Sequence, residues 1–100
     1  MTPDIASGEA VSRRLDKWLW CARVFRTRQA AASFIEDRTV RLTRNGRTER
    51  IGKPGFGLKA GDEISLILAD RPVAYRVRAF ARRRGSGPQA AALFEVLTAT

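Results

Sequence analysis

Apolar side chains near the start of the chain recur at helical spacing. Leu15, Trp18, Leu19 and Ala22, then position 25 or 26, follow an i, i+3, i+4, i+7 rhythm, so one face of a first helix is apolar, and Ser12 stands where it can cap the start. Thr27 reads as a second N-cap. The helix that follows, over about residues 28–37, buries Ala31, Phe34 and Ile35. Glu36 and Asp37 fall at its end, where the helix dipole favours cations, and Arg38 suits that end better. The link is short, so the two helices should pack as an antiparallel or steeply crossed pair.

After residue 39 the period changes to two. Val40 and Leu42 alternate with Arg41 and Thr43, and Asn45-Gly46 is a strong hairpin signal, with residues 48–51 as the returning strand. Residues 53–57 (Lys-Pro-Gly-Phe-Gly) form a loop. A turn over residues 59–62 leads into a strand over 63–68 with Ile64, Leu66 and Leu68 on one face. Asp70-Arg71-Pro72 turns again, and residues 73–80 alternate as a further strand. Residues 82–88, Arg-Arg-Arg-Gly-Ser-Gly-Pro, read as a basic, flexible link. Ala90, Leu93, Phe94 and Leu97 then have the spacing of a last helix, from about residue 88 or 89 to 97. The pattern predicts an α+β domain: helix, helix, small antiparallel sheet, helix. Residues 1–12 are expected to be a disordered lead-in, 13–81 the folded unit, and 82–100 the basic linker and C-terminal helix.

Charge sharpens this outline. The 100 residues carry 19 Lys+Arg against 10 Asp+Glu, a net +9 with pI about 11.4. Residues 13–50 hold eleven basic side chains and four acids, which places +7 of the excess in that segment. A local excess is the footprint of a phosphate-binding surface. On the first helix, Arg13, Lys17 and Trp20 lie opposite the apolar stripe, with Arg23 and Asp16 on the flank. Arg26 and Arg28 bracket the second N-cap, whose backbone N–H groups add to the attraction for phosphate. Such a face can also be a solvated helix surface. That reading is weaker here because Asp16 is the only nearby acid. Trp20, outside the stripe, either stacks on a base or packs beneath the C-terminal segment.

Catalytic chemistry is short of parts. The chain has no His, and its single cysteine, Cys21, lacks an activating base and cannot form an intrachain disulfide. Cys21 reads as a small packing residue. Zinc would need four N/S ligands, so no metal and no cofactor is expected. Asp62 and Glu63 read as a solvated turn. The glycines around Phe56 and Ser86 lack the context of a phosphate-binding loop. No apolar run approaches the roughly 20 residues that span a bilayer, and residues 1–10 lack the pattern of a secretory signal. A cytosolic, monomeric protein with no membrane contact is expected.

Arg14-Leu15-Asp16-Lys17-Trp18-Leu19, then Arg23, Thr27-Arg28, Ala31, Phe34-Ile35 and Val40, resemble the S4-type RNA-binding domain. Leu58-Lys59-x-Gly61-Asp62-x-Ile64 resembles the turn and strand that close that motif. The ordered set spans roughly residues 13–68. Residues 18–23 and the tail from Arg82 to Glu95 are similar to a subgroup of small, ribosome-associated bacterial heat-shock proteins. The resemblance implies two helices packed on a small curved antiparallel sheet, and binding of structured RNA on the helix-side basic surface. Carried over by matching positions, the contacts are Arg14, Lys17, Arg23, Arg26, Thr27 and Arg28, with Arg41 and Arg44 as neighbours. Asp16 would orient an Arg or the backbone. The subgroup associates with free large ribosomal subunits that still hold a nascent chain on transfer RNA. The family usually has Gly after the second helix. Asp37-Arg38-Thr39 stand there in this chain, so the helix ends differently or a non-Gly residue is held left-handed at about 1–2 kcal/mol. The strand is about two residues longer before Asn45-Gly46.

Three function classes follow. The first is a non-catalytic module that binds structured ribosomal RNA. The second is an RNA-binding accessory of ribosomal RNA modification or assembly. The third is a basic protein that also binds DNA, more weakly and without sequence preference.

Overall fold

The structure, a computed structural model, describes residues 5–6 and 12–97. The chain order is β1 (Ile5–Ala6), α1 (Leu15–Cys21), α2 (Arg28–Asp37), β2 (Val40–Arg44), β3 (Arg47–Ile51), β4 (Glu63–Leu68), β5 (Arg71–Val77), β6 (Phe80–Ala81), α3 (Gly87–Ala91) and β7 (Phe94–Val96). Strands β3-β2-β4-β5-β7 form one antiparallel sheet, and β1 pairs with β6. The expected α+β architecture is present. Apart from Ile5–Ala6 and Ser12, the lead-in assigned to residues 1–12 lies outside the described residues.

One apolar layer joins helices and sheet. Leu15, Trp18, Leu19 and Ala22 of the first stripe are buried, with Ala31 and Ile35 of α2 and with Val40, Leu42, Ile64, Leu66 and Val77 from the inward face of the sheet. Cys21 is buried too, which fits a packing residue, and burial pushes its thiol pKa up. The Trp18 indole N–H donates to the Ala79 carbonyl at 3.0 Å, which satisfies the one polar atom of an otherwise apolar side chain.

The ends of α1 differ from the expectation. Its N-cap is Arg14, not Ser12, because the backbone of residues 13–16 is drawn into bonds with the loop before β4: Leu15 N–H to Phe56 O, Asp16 N–H to Pro54 O, and Leu58 N–H to Arg13 O. The helix stops at Cys21, short of position 25. Val24 N–H reaches the Leu19 carbonyl and Arg23 N–H the Trp20 carbonyl, the two bonds of a Schellman ending. Arg23 occupies the left-handed position of that motif, φ 64°, where Gly is usual. The left-handed residue therefore follows α1. After α2, Arg38 is extended (φ −122°), so the missing Gly costs nothing there.

The hairpin is as predicted, with Asn45 (φ 54°) and Gly46 (φ 78°) forming its two-residue turn between paired Arg44 and Arg47. The next turn is Ala69-Asp70 rather than Asp70-Arg71-Pro72, since Leu68 pairs with Arg71 and β5 begins there. The long C-terminal helix is replaced by a five-residue helix and a strand. Ser86 caps α3 with a reciprocal Ser86–Gln89 box, and Leu93 turns into the core. Phe94–Val96 then pairs with β5, where the Phe94 ring meets Tyr75 and Trp18 edge-on at 5.0 and 6.4 Å. Sheet hydrogen bonds and those ring contacts override the helical spacing of Ala90, Leu93, Phe94 and Leu97.

Ala69 (φ 49°) is a non-glycine residue in a turn that needs positive φ at both central positions. Replacing Ala69→Asn should stabilise the fold by about 0.5–1 kcal/mol. Urea unfolding would show this as a higher midpoint with an unchanged slope.

Candidate nucleic-acid interface

The start of α1, the start of α2 and the loop before β4 meet at one residue: the Asp16 carboxylate takes the two helix starts, and its backbone N–H takes the Pro54 carbonyl of the loop. Asp16 is only 4% exposed. It accepts from Arg14 Nε at 3.1 Å and Nη2 at 3.0 Å, and from the Lys17 amide at 2.7 Å, and Arg28 Nε stands 3.7 Å away. Burial pushes the Asp16 carboxyl up. The Arg14 hydrogen bonds, the Lys17 amide and the Arg14 and Arg28 charges outweigh burial and hold it below the usual carboxylate range. Asp16 thus orients Arg14 and Arg28, as the motif acid was expected to do. Gly55 makes room for the Arg14 fork: a Cβ on it would lie 3.3 Å from Arg14 Nη1.

Lys17, Arg26, Thr27 and Arg28 complete this side of the molecule. Thr27 accepts from the Ala30 amide at 2.9 Å and so caps α2, with Arg28 in the first turn. Arg26 is exposed in the connection and makes no ion pair with a described residue. Lys17 is half-buried one residue after Asp16.

Arg23 points elsewhere than a free phosphate contact would. Its Nε and Nη2 both donate to the Gly85 carbonyl, at 3.0 and 2.8 Å. Arg84 answers from the other side, with Nε to Trp20 O at 2.9 Å and Nη2 to Phe25 O at 3.3 Å. The pair straps residues 82–86 onto the α1–α2 corner, so this basic link is an ordered part of the surface. Arg84 was not singled out from the sequence. A guanidinium bonded to carbonyls exposed by a helix end leaves no local signal, because its partners lie about sixty positions away. Trp20 is half-buried and packs against the core.

Arg44 is committed as well. Its Nε and Nη2 bind Asp62 at 2.8 and 2.7 Å, Nη2 also reaches Gly57 O, and its guanidinium lies 5.4 Å from the centre of the Phe56 ring. Asp62, expected in a solvated turn, is 2% exposed and also accepts from the Lys59 amide. The reason is parity: Arg44 follows Val40 and Leu42 on the inward face, so its charge needs an internal partner. Arg41 has the opposite parity and lies on the outward face of the sheet, away from the α1–α2 surface. The structure therefore brings together Arg14, Lys17, Arg26, Thr27 and Arg28. It sets Arg23 beside them as a strap, and it turns Arg44 inward and Arg41 to the other side.

The chain matches no model of a known protein family. It is 38% identical over 82 residues to the heat shock protein 15 homolog of Aeromonas salmonicida, covering 82% of this chain. It is 34% identical over 86 residues to heat shock protein 15 of Escherichia coli, covering 86% of this chain. The chain spans 58% and 61% of those two relatives. A solved structure of Vibrio cholerae heat shock protein 15 superposes with TM-score 0.72 at 30% identity, covering 84% of this chain and 80% of that one. The chain belongs to the heat shock protein 15 family. The heat-shock branch of the S4-type resemblance and the α+β fold are thereby borne out. The Vibrio protein is described as trimeric, so the expected monomer finds no support in this heat shock protein 15.

Two measurements test the site's architecture. A carboxyl whose folded pKa lies below its unfolded value of about 3.9 stabilises the fold above that value and loses the contribution as pH falls through the folded pKa. Asp16→Asn should therefore flatten the loss of stability on acidification below about pH 4 while lowering stability at neutral pH, read from Tm against pH. Arg84→Ala should cost about 1–3 kcal/mol by leaving the Trp20 and Phe25 carbonyls without their charged donor. Amide exchange should quicken at residues 22–26 before it does in the sheet.

Proposed function

We propose that this heat shock protein 15 relative is a non-catalytic, cytoplasmic RNA-binding protein that uses the α1–α2 surface to hold structured RNA, with ribosomal RNA of the large subunit as its target. The observation that carries this reading is the sorting of charge. Asp16, the acid at the helix starts, is buried beneath the cations there, so exposed Arg26 and Arg28, with half-buried Lys17, form a basic group braced by Arg14. A rigid set of cations on short, packed elements suits shape-based reading of A-form RNA, where phosphates and 2′-hydroxyls line a shallow groove. Membership of a heat-shock family supports a role in stress. Free large subunits that still carry a nascent chain on transfer RNA are the substrate that the S4-type resemblance favours. DNA binding is the weaker alternative, since phosphate attraction does not discriminate.

Co-sedimentation with separated ribosomal subunits tests the target. The protein should travel with large subunits, and more strongly when peptidyl-transfer RNA is present; equal partition between small and large subunits would refute it. For the site, Arg26→Gln with Arg28→Gln should weaken binding to a ribosomal RNA hairpin. It should also lower the dependence of log K on log salt by about 1.4–1.8, two phosphate contacts. An unchanged slope would remove these residues from the interface. Equal affinity for a matched B-form duplex would favour the DNA reading.

A further inference from the structure

The sheet has two unlike faces. Inward positions meet the helices, and outward positions alternate with them: Arg41, Ser65 and Ile67 are exposed beside buried Val40, Leu42, Ile64 and Leu66. Along that outward face the register sets Arg41 directly across from Arg50, and Thr43 across from Thr48. The two threonine hydroxyls are 2.7 Å apart and share one hydrogen bond. The outward acids, Glu63 and Glu95, are both spent on Arg76, at 3.2 and 2.8 Å. Arg41 and Arg50 make no ion pair with any described residue.

Directly opposed side chains in an antiparallel pair have Cβ atoms about 4.5–5.5 Å apart, and like charges there destabilise the sheet. Among the described residues the acid nearest this pair on the outward face is Glu63, across from Thr43, and it is held by Arg76. Two guanidinium forks at that spacing, flanked by a hydroxyl pair, match the oxygens of a phosphodiester chain.

We propose that the outward face of the β2–β3 hairpin, through Arg41 and Arg50 with Thr43 and Thr48 beside them, is a second phosphate-binding surface. It engages an RNA segment separate from the one held by the α1–α2 surface. This rests on the RNA-binding reading above. The two surfaces lie on opposite sides of the helix–sheet sandwich, so one chain contacts two RNA segments at once. A second copy of the chain is a poor occupant, because each copy would bring the same uncompensated positive charge to the contact.

Titration calorimetry of the full chain with an RNA duplex of about 12 base pairs at low salt tests this, with stoichiometry counted per chain so that self-association does not enter. The wild type should bind two duplexes per chain. Arg41→Gln with Arg50→Gln should bind one, and the remaining site should keep its Kd within about twofold because distant sites act independently. Arg50→Glu should also bind one duplex. It should raise Tm, since it turns the repelling pair into an opposite-charge pair, which separates loss of the site from loss of the fold. One duplex per wild-type chain, two per double variant, or a lowered Tm for Arg50→Glu would overturn the inference and leave the α1–α2 reading standing. So would loss of poly-glutamate binding, or a changed sedimentation mass, in the double variant at unaltered RNA stoichiometry. No RNA binding by the wild type would overturn both.

Discussion

A carboxylate sealed away from water beneath arginines is the contact that organises this molecule. Asp16 is reached by Arg14 from its own helix start, by Arg28 from the start of the next helix and by the Lys17 amide, while the backbone of Asp16 is bonded to Pro54. A buried charge is tolerable only when its lone pairs are filled, and removing one partner of such a group is far costlier than any exposed ion pair is worth. One residue thus fixes the relative placement of two helices, through its side chain, and a loop, through its backbone. Asp62 repeats the device on the other side of the same loop, taking Arg44 and the Lys59 amide. The residues between the two aspartates, 53–58, are held as a splint across the starts of α1 and β4.

The arrangement bears on a chain with net charge +9. Self-repulsion opposes compaction in such a protein. Two of its acids are placed inside, where each neutralises arginines that must be held still, and Glu63 and Glu95 clamp Arg76 between neighbouring strands. The acids left exposed near the helices and on the hairpin stand apart from the helix starts: Glu36 and Asp37 at the far end of α2 and Glu49 on β3. Rigidity and surface charge therefore come from the same allocation: internal acids and the carbonyls that hold Arg23 and Arg84 brace the scaffold, and arginines that neither reaches, such as Arg26, are presented to solvent.

The C-terminal segment takes part in this scaffold. Arg23 sits left-handed at the end of α1, a conformation that costs a non-glycine residue about 1–2 kcal/mol, and both its bonds run to Gly85. Arg84 returns two bonds to carbonyls that flank the same helix end. Strand β7 then closes the sheet edge beside β5. The corner where Arg26 and Thr27 lie is thus held from two sides, by the Asp16 network and by this strap.

The periodic elements were legible from local pattern alone. The apolar stripe of α1, the Thr27 cap, the bounds of α2, the Asn45-Gly46 hairpin and the concentration of cations in residues 13–50 all follow from spacing, because each depends on neighbours a few positions away. Tertiary structure decided what long-range partners decide. Whether an arginine is a brace or a contact depends on where a distant acid or carbonyl lies: Arg44 met Asp62, Arg23 met Gly85, and Arg41 took the outward parity that sends it to the far face. The C-terminal helix failed for the same reason, since an open strand edge and the Trp18 and Tyr75 rings outcompete a weak helical preference in Phe94–Val96. Local periodicity fixes an element when its own residues supply the energy; the role of a long cationic side chain is set by whichever compensating group the fold carries to it.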